Sequence, residues 1–299
     1  MDWKRFSRGN WPYYILAVSI TAVWGSTFAA TKILMNGGMS PMGIFTIRFL
    51  MAWVVMLLLF HRRLWAQSLA DELKLMLAGV LGGSLYYWLQ NWALALSQTT
   101  NVSFLLSFCP LITILLAVAF FKDQRITRRH LVGLAIAIVG TALVIFSGQK
   151  ELHIAPAGDI LALAAATTWG FYTQLIRPMT GRYEGTFMTR KVFFYGTLTS
   201  LPIFFTGPWQ SDVDKFASQP EVALSILYLT ILASIFCYLA FNAIIRKLGP
   251  VRAASFLYLD PVFSTIFSFI FMDEIMTPTL ASGLALILCG VIIAQRAKG

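Results

Sequence analysis

Tyr87-Trp88-Leu89-Gln90-Asn91 and Tyr238-Leu239-Ala240-Phe241-Asn242 are one phrase written twice, 151 positions apart. In each, a tyrosine and an asparagine stand four residues apart, so both project from the same face of a helix. Each phrase lies in a long apolar run, 75–97 and 222–245. Runs of that length match the ~20 residues that cross a hydrocarbon core of ~30 Å at ~1.5 Å per residue. An asparagine inside such a helix is costly unless it finds a partner or faces water. Two matched polar faces therefore predict one central cavity.

Other matches extend outward from this pair. Trp24-Gly25 recurs as Trp169-Gly170, and Lys32 keeps the same offset to Arg177. Pro110 meets Pro261 and Asp123 meets Glu274, both at the spacing of the tyrosines. Gly140 meets Gly290 one residue short of it. The matches keep their order along the chain, which points to two related halves, 1–149 and 150–299.

Apolar runs fill both halves: 12–35, 42–60, 75–97, 99–121, 130–147, 157–177, 187–206, 222–245, 250–272 and 278–295. Hydrophobic residues make up 58% of the chain and charged residues 12%. A soluble domain carries roughly 25% charged residues, so most of this surface must face lipid. Continuous runs of this length also exclude a β-barrel, whose segments alternate and span about ten residues. The basic stretch from Lys4 to Arg8 resembles the start of a signal peptide. The run that follows is too long for one and lacks a small-residue cleavage site, so it reads as an uncleaved first span.

Loop charge sets the orientation. With the N-terminus in the cytoplasm, nineteen Lys and Arg fall on inner loops, and the outer loops hold only Lys150 and Lys215. This is a strong positive-inside bias, and one false or missed span would destroy it. It also accounts for the net charge of +10 without nucleic acid. Both termini are then cytoplasmic. Five spans per half means that the second half enters from the opposite side. The fold expected is an all-α polytopic membrane protein with ten transmembrane helices as two inverted five-helix repeats. Such repeats place a substrate site near the midplane and open it to either side by rocking.

Several chemistries are absent from the sequence. His61, His130 and His153 all lie at loop edges. No His-Glu-x-x-His, Gly-x-Ser-x-Gly, Walker loop or Cys/His cluster occurs. Cys109, Cys237 and Cys289 lie inside apolar runs and form no disulfide framework. No late span carries a mid-membrane lysine for retinal. The chain is expected to be no enzyme and to need no metal and no cofactor.

Two five-helix halves, each with Trp-Gly in the first helix, Tyr-x-x-x-Asn in the third and a mid-helix proline in the fourth, resemble the drug/metabolite transporter superfamily in its EamA group. Phe256-Leu257-Tyr258-Leu259-Asp260-Pro261, followed by Phe271-Met272-Asp273-Glu274, is similar to that family's second-half signature. The sequence departs from it in carrying Asp260 where the family often has Glu, and Asp123 at the corresponding acidic position of the first half. The resemblance implies a bacterial inner-membrane exporter of amino acids, aromatic ones included, or of related small metabolites. Exporters of aromatic or quaternary-ammonium drugs are the alternative within the class, and a membrane-embedded enzyme is the alternative outside it. The partners expected are a small-molecule substrate and the lipid bilayer. A monomer suffices, because one chain holds both halves of the cavity.

The residues expected to line that cavity are Trp24, Tyr87, Asn91, Trp169, Tyr238, Asn242 and Tyr258, with Trp88, Trp92, Phe171 and Tyr172 nearby. Aromatic walls suit an apolar side chain or a ring and attract an ammonium by ~0.5–2 kcal/mol. Arg48, Pro110, Asp260 and Pro261 are the candidates for gating or coupling. Prolines remove a backbone hydrogen bond and bend their helices. The intramembrane charges Arg48 and Asp260 are costly to hold there and so suggest function. Arg48 suits an outer gate or a carboxylate ligand, and Asp260 a substrate amine or a proton. Lys32 lies close enough to the outer end to snorkel.

Overall fold

The computed structural model describes residues 10–61, 63–97, 99–120, 127–146, 155–263, 266 and 277–296, without the side chains of 28–29, 32, 99–101 and 145–146. The side chain of Lys32, and Asp123 and Glu274 entirely, thus lie outside the described residues. All regular structure among the described residues is helical. The helices are α1 (Trp11–Asn36), α2 (Pro41–Leu59), α3 (Leu69–Gly79), α4 (Leu85–Leu96), α5 (Thr99–Leu106), α6 (Cys109–Phe120), α7 (Arg128–Phe146), α8 (Pro156–Ile176), α9 (Gly185–Thr206), α10 (Trp209–Ser218), α11 (Pro220–Tyr228), α12 (Cys237–Leu248), α13 (Pro250–Ser255) and α14 (Pro278–Gln295). By length and composition, Pro41–Leu59, Val102–Phe120, Pro220–Leu248 and Pro278–Gln295 can each cross a membrane.

Several helices begin where the sequence supplies a start signal. Proline occupies the first turn of α1, α2, α8, α11, α13 and α14, where its missing N–H costs nothing. Ser40 and Thr277 cap α2 and α14 by accepting from the N–H of Gly43 and Leu280.

Two expected spans are interrupted. The run 75–97 forms α3 and α4 joined by a π segment, Val80–Ser84, and α3 starts earlier, at Leu69. The run 222–245 likewise forms α11 and α12 joined by a π segment, Leu229–Phe236. Gly82 and Ala233, one in each π segment, are related by the same 151-residue spacing as the tyrosines. The expected bend at Pro110 falls a few residues earlier. The helix breaks at Ser107 and Phe108, and Pro110 becomes the second residue of α6. Pro261 is buried in a short helical stretch that follows a 3₁₀ turn, Phe256–Leu259. Between the seventh and eighth runs lies a further helix, the polar α10, which no apolar run marks.

The two halves interleave: α1 packs on α12, α2 on α9, α4 on α8, and α7 along α14. The last contact is closest. A Cβ on Gly133 would lie 2.6 Å from the Gly290 carbonyl oxygen, and one on Gly140 would lie 2.7 Å from that of Gly283. Residue numbers rise along α7 as they fall along α14, so the two helices run antiparallel.

Candidate functional site

Each π segment offers a main-chain carbonyl to the opposite half. A π turn shifts the hydrogen-bond register by one residue, which leaves its carbonyls open to outside donors. Trp24 Nε1 donates to the Ala233 carbonyl at 3.1 Å. The Tyr238 hydroxyl donates to the Gly82 carbonyl. Both bonds join one half to the other. Tyr172 packs directly on Gly82, where a Cβ would meet its ring at 2.5 Å.

These bonds seat a cluster of rings. Trp24 and Trp169 meet edge-on, with centroids 5.6 Å apart. Tyr238 stands 5.6 Å from Trp169 and 6.0 Å from Phe49. Phe241 lies 5.4 Å from Trp24 and 5.6 Å from Trp169. Tyr86 extends the cluster, 4.9 Å from both Trp169 and Tyr87. Trp24 and Trp169, matched in sequence, differ here in one respect. The Nε1 of Trp169 is buried with no hydrogen-bond partner.

Arg48 enters from α2. Its Nε donates to Ser234 Oγ at 2.9 Å and its Nη2 to the Tyr87 hydroxyl at 3.1 Å. The guanidinium carbon stands 4.5 Å from the centre of the Tyr87 ring. Ser234 in turn donates to the Leu229 carbonyl inside the π segment. Arg48 is 3% exposed, yet no carboxylate pairs with it among the described residues.

Tyr87, Asn91, Tyr238 and Asn242 were expected to face water. In this conformation all four are buried and bonded within the protein. Asn91 donates to the Pro41 carbonyl at 2.8 Å. Asn242 donates to Thr189 Oγ1 at 3.0 Å and accepts from the Tyr172 hydroxyl at 3.2 Å. The physical reason is the cost noted above, since an amide in a span is satisfied as well by a neighbouring helix as by water. Of the nearby aromatics, Tyr172 joins the central cluster and is fully buried. Trp92 is exposed and Phe171 packs against Phe120, both away from it.

Asp260 directly follows the 3₁₀ turn Phe256–Leu259. Its Oδ1 is buried with no hydrogen-bond partner, although the residue keeps part of its surface accessible. The Tyr258 hydroxyl is likewise buried without a partner.

A second polar cluster ties the halves together on the side of the basic loops. Asp71 accepts from the Tyr183 hydroxyl at 2.9 Å and pairs with Arg182 at 3.3 Å. The Tyr183 bond, helped by Arg182 and Lys74, holds the Asp71 carboxyl below its ordinary value against the opposing effect of burial. Burial raises Glu72, but hydrogen bonds from Lys191, Tyr195 and the Ala66 N–H outweigh it and leave this carboxyl lowered as well. Arg190 donates to the carbonyls of Phe60 and Arg63. On the other side, the Ser40 N–H donates to Asp212 Oδ1 at 2.7 Å. These ties have no motif in the sequence. Their only signal was acidic residues facing an excess of basic ones across distant loops.

The EamA-like transporter family matches residues 11–146 and again 156–295. A "probable terminal-alkyne amino-acid exporter" of Streptantibioticus cattleyicolor is 27% identical, over 98% of this chain and 95% of its own length. An "uncharacterized transporter" of Archaeoglobus fulgidus is 26% identical over 87% of this chain and 89% of its own. A "probable amino-acid metabolite efflux pump" of Salmonella typhimurium is 26% identical over 58% of this chain and 60% of its own. One solved crystal structure superposes with a TM-score of 0.72 at 20% identity, covering 95% of this chain and 98% of that one, and so shares the fold.

Proposed function

We propose that this chain, a multi-pass membrane protein that belongs to the EamA-like transporter family, is a secondary transporter that exports amino acids across the bacterial inner membrane by alternating access. The reading takes 1–149 and 150–299 as two inverted five-helix repeats, with both termini cytoplasmic. The antiparallel packing of α7 on α14, whose glycines match at the repeat spacing, supports the inversion. The names of two relatives support amino acids as the substrate class. No covalent step is required.

One observation carries the mechanism. Trp24 holds the Ala233 carbonyl, while its counterpart Trp169 has an orphaned N–H and Tyr238 occupies the matching Gly82 carbonyl. In inverted repeats the opposite-facing state is reached when the halves exchange conformations. The exchange here gives Gly82 to Trp169 and frees Trp24, with Tyr87 turning from Arg48 to the Ala233 carbonyl. Each state leaves one indole unsatisfied, so neither is overwhelmingly favoured, as a cycling protein requires.

The test is flux of a labelled amino-acid panel from proteoliposomes, with and without a pH gradient. Vectorial movement of at least one amino acid above empty liposomes is expected. Chemical conversion without movement would return the chain to the enzyme reading. An exporter of aromatic or quaternary-ammonium cations is the second reading, favoured by Asp260, whose Oδ1 is buried without a hydrogen-bond partner. Flux of such cations with no flux of amino acids would select it.

A further inference from the structure

We infer that Arg48 is the carboxylate site of this transporter: its guanidinium takes the α-carboxylate of the exported amino acid, in the place that the Tyr87 hydroxyl holds in this conformation. The inference rests on the amino-acid export reading and adds to it the group that the substrate must carry.

The argument starts from the partners that Arg48 keeps. Its Nε donates to Ser234 Oγ at 2.9 Å and its Nη2 to the Tyr87 hydroxyl at 3.1 Å. Its main chain is anchored too, because Thr230 Oγ1 donates to the Arg48 carbonyl at 3.4 Å. Thr230 and Ser234 belong to the π segment of the second half, and Tyr87 to α4 of the first. Arg48 thus lies where the two halves meet, joined to both by direct bonds. Both side-chain partners are neutral hydroxyls. No carboxylate of a described residue pairs with this buried cation. A neutral amide donates to two hydroxyls without the expense of burying a charge. A buried guanidinium is costly unless an anion answers it, so the two hydroxyls leave the charge itself unexplained.

The same bonds show where the anion goes. Ser234 holds Nε from one edge and is itself fixed, since it donates to the Leu229 carbonyl at 2.9 Å. The Nη1–Nη2 end of the guanidinium carries only the Tyr87 bond among the described residues. That end is a planar fork that fits the two oxygens of a carboxylate. A bidentate charged pair is stronger than one neutral bond, so a carboxylate displaces the Tyr87 hydroxyl and leaves Ser234 in place. The displaced hydroxyl has a destination. In the exchange described above Tyr87 turns to the Ala233 carbonyl, and Ala233 adjoins Ser234 in the chain. Substrate on Arg48 therefore favours the step that moves Tyr87. The walls here are apolar, with Phe45 and Phe49 each 5.3 Å from the Tyr87 ring. They suit an organic carboxylate better than an inorganic anion. An organic cation without a carboxylate gains nothing from Arg48 and meets a like charge.

In the experiment, the labelled amino acid that moves fastest in the proteoliposome panel is competed by its own unlabelled form and by its carboxamide. The carboxamide keeps the ammonium and the side chain and lacks the negative charge. On wild type it is expected to compete roughly 10- to 100-fold more weakly than the acid, the loss of one charged hydrogen-bonded partner. Arg48→Gln should erase that difference, and Arg48→Lys, which keeps the charge without the fork, should restore part of it. An Arg48 that serves only the fold would lower flux and leave the ratio of the two competitors as in wild type. Tyr87→Phe tests the displacement with the guanidinium intact. The acid should then compete roughly 2- to 10-fold more strongly, because no hydroxyl has to leave, and the carboxamide as before. If Arg48→Gln fails to fold, wild type and Tyr87→Phe decide. A carboxamide as potent as the acid on wild type, a wild-type ratio in folded Arg48→Gln, or an equal shift of both competitors in Tyr87→Phe overturns the carboxylate site and leaves amino-acid export standing. Flux of no amino acid at all overturns both.

Discussion

The seam between α7 and α14 and the pair of π segments are both built from matched residues of the two halves, yet only the first is symmetric. At the seam, Gly133 faces Gly290 and Gly140 faces Gly283, at nearly equal distances. At the π segments, one carbonyl takes a tryptophan and the other a tyrosine, and one indole is left over. The difference teaches that equivalent sequence does not impose equivalent conformation. The seam holds one arrangement in either half, because two backbones in contact have nowhere to go. The π carbonyls take unlike donors, an indole at Ala233 and a phenol at Gly82, although the residues around them are matched.

The largest effect is expected at the seam. Gly140→Ala puts a Cβ 2.6 Å from the Ile287 N, and Gly290→Ala puts one 2.5 Å from the Gly133 carbonyl oxygen. Neither backbone can yield cheaply, so each should destabilise by roughly 1–3 kcal/mol. Because the contact is symmetric, the two losses should be alike in thermal unfolding of the detergent-solubilised protein. Unequal losses would break the symmetry claimed for the seam.

A smaller and deliberately unequal effect is expected at the indoles. Phenylalanine keeps the ring contacts and removes the N–H. Trp24→Phe should cost roughly 0.5–1.5 kcal/mol, the net value of one hydrogen bond. Trp169→Phe removes a buried orphan donor and should be neutral or stabilising in the same melts. It should also slow labelled amino-acid flux, by depriving the opposite-facing state of its bond. Equal melting shifts for the two variants would show that the asymmetry has no energetic weight.

The smallest effect concerns the tie between the halves on the basic-loop side. Asp71 is held below its ordinary value of 3.8 chiefly by the Tyr183 hydroxyl. A depressed folded-state value means that its stabilisation is present above 3.8 and is lost as the pH falls through the lowered value. Melting temperatures should therefore drop between about pH 5 and about pH 3. The drop should be smaller in Tyr183→Phe, which removes the main cause of the depression. An identical drop in both proteins would remove Asp71 from the tie.

Much of this was legible in the sequence, for reasons that residues make plain. Apolar runs reveal helices because lipid leaves the backbone no other partner. Arg48 and Asp260 announced themselves because charges in such runs are rare. Matched spacings brought out Tyr87, Asn91, Tyr238 and Asn242 as one set, but not their partners. A helix face can be read from spacing four, whereas the neighbour it meets depends on tilt and rotation. Asn91 finds the Pro41 carbonyl and Asn242 finds Thr189, and neither pairing has a signature in the chain. The π segments were invisible for a related reason. One residue of slack does not change the length of an apolar run enough to notice, although the Gly82-Gly83 pair hinted at an irregular backbone. Helix α10 was missed because a search for apolar runs passes over Asp212, Asp214 and Lys215.

The exchange of the two indole bonds is the centre of the account, and ¹⁵N-edited NMR of the indole N–H groups reads it directly. Resonances of Trp24 and Trp169 are assigned with the two phenylalanine variants and followed as a transported amino acid is added. The account predicts opposite movements: Trp169 shifts toward the hydrogen-bonded position as Trp24 leaves it. Indoles that both stay in place, or both move the same way, while flux proceeds would contradict it.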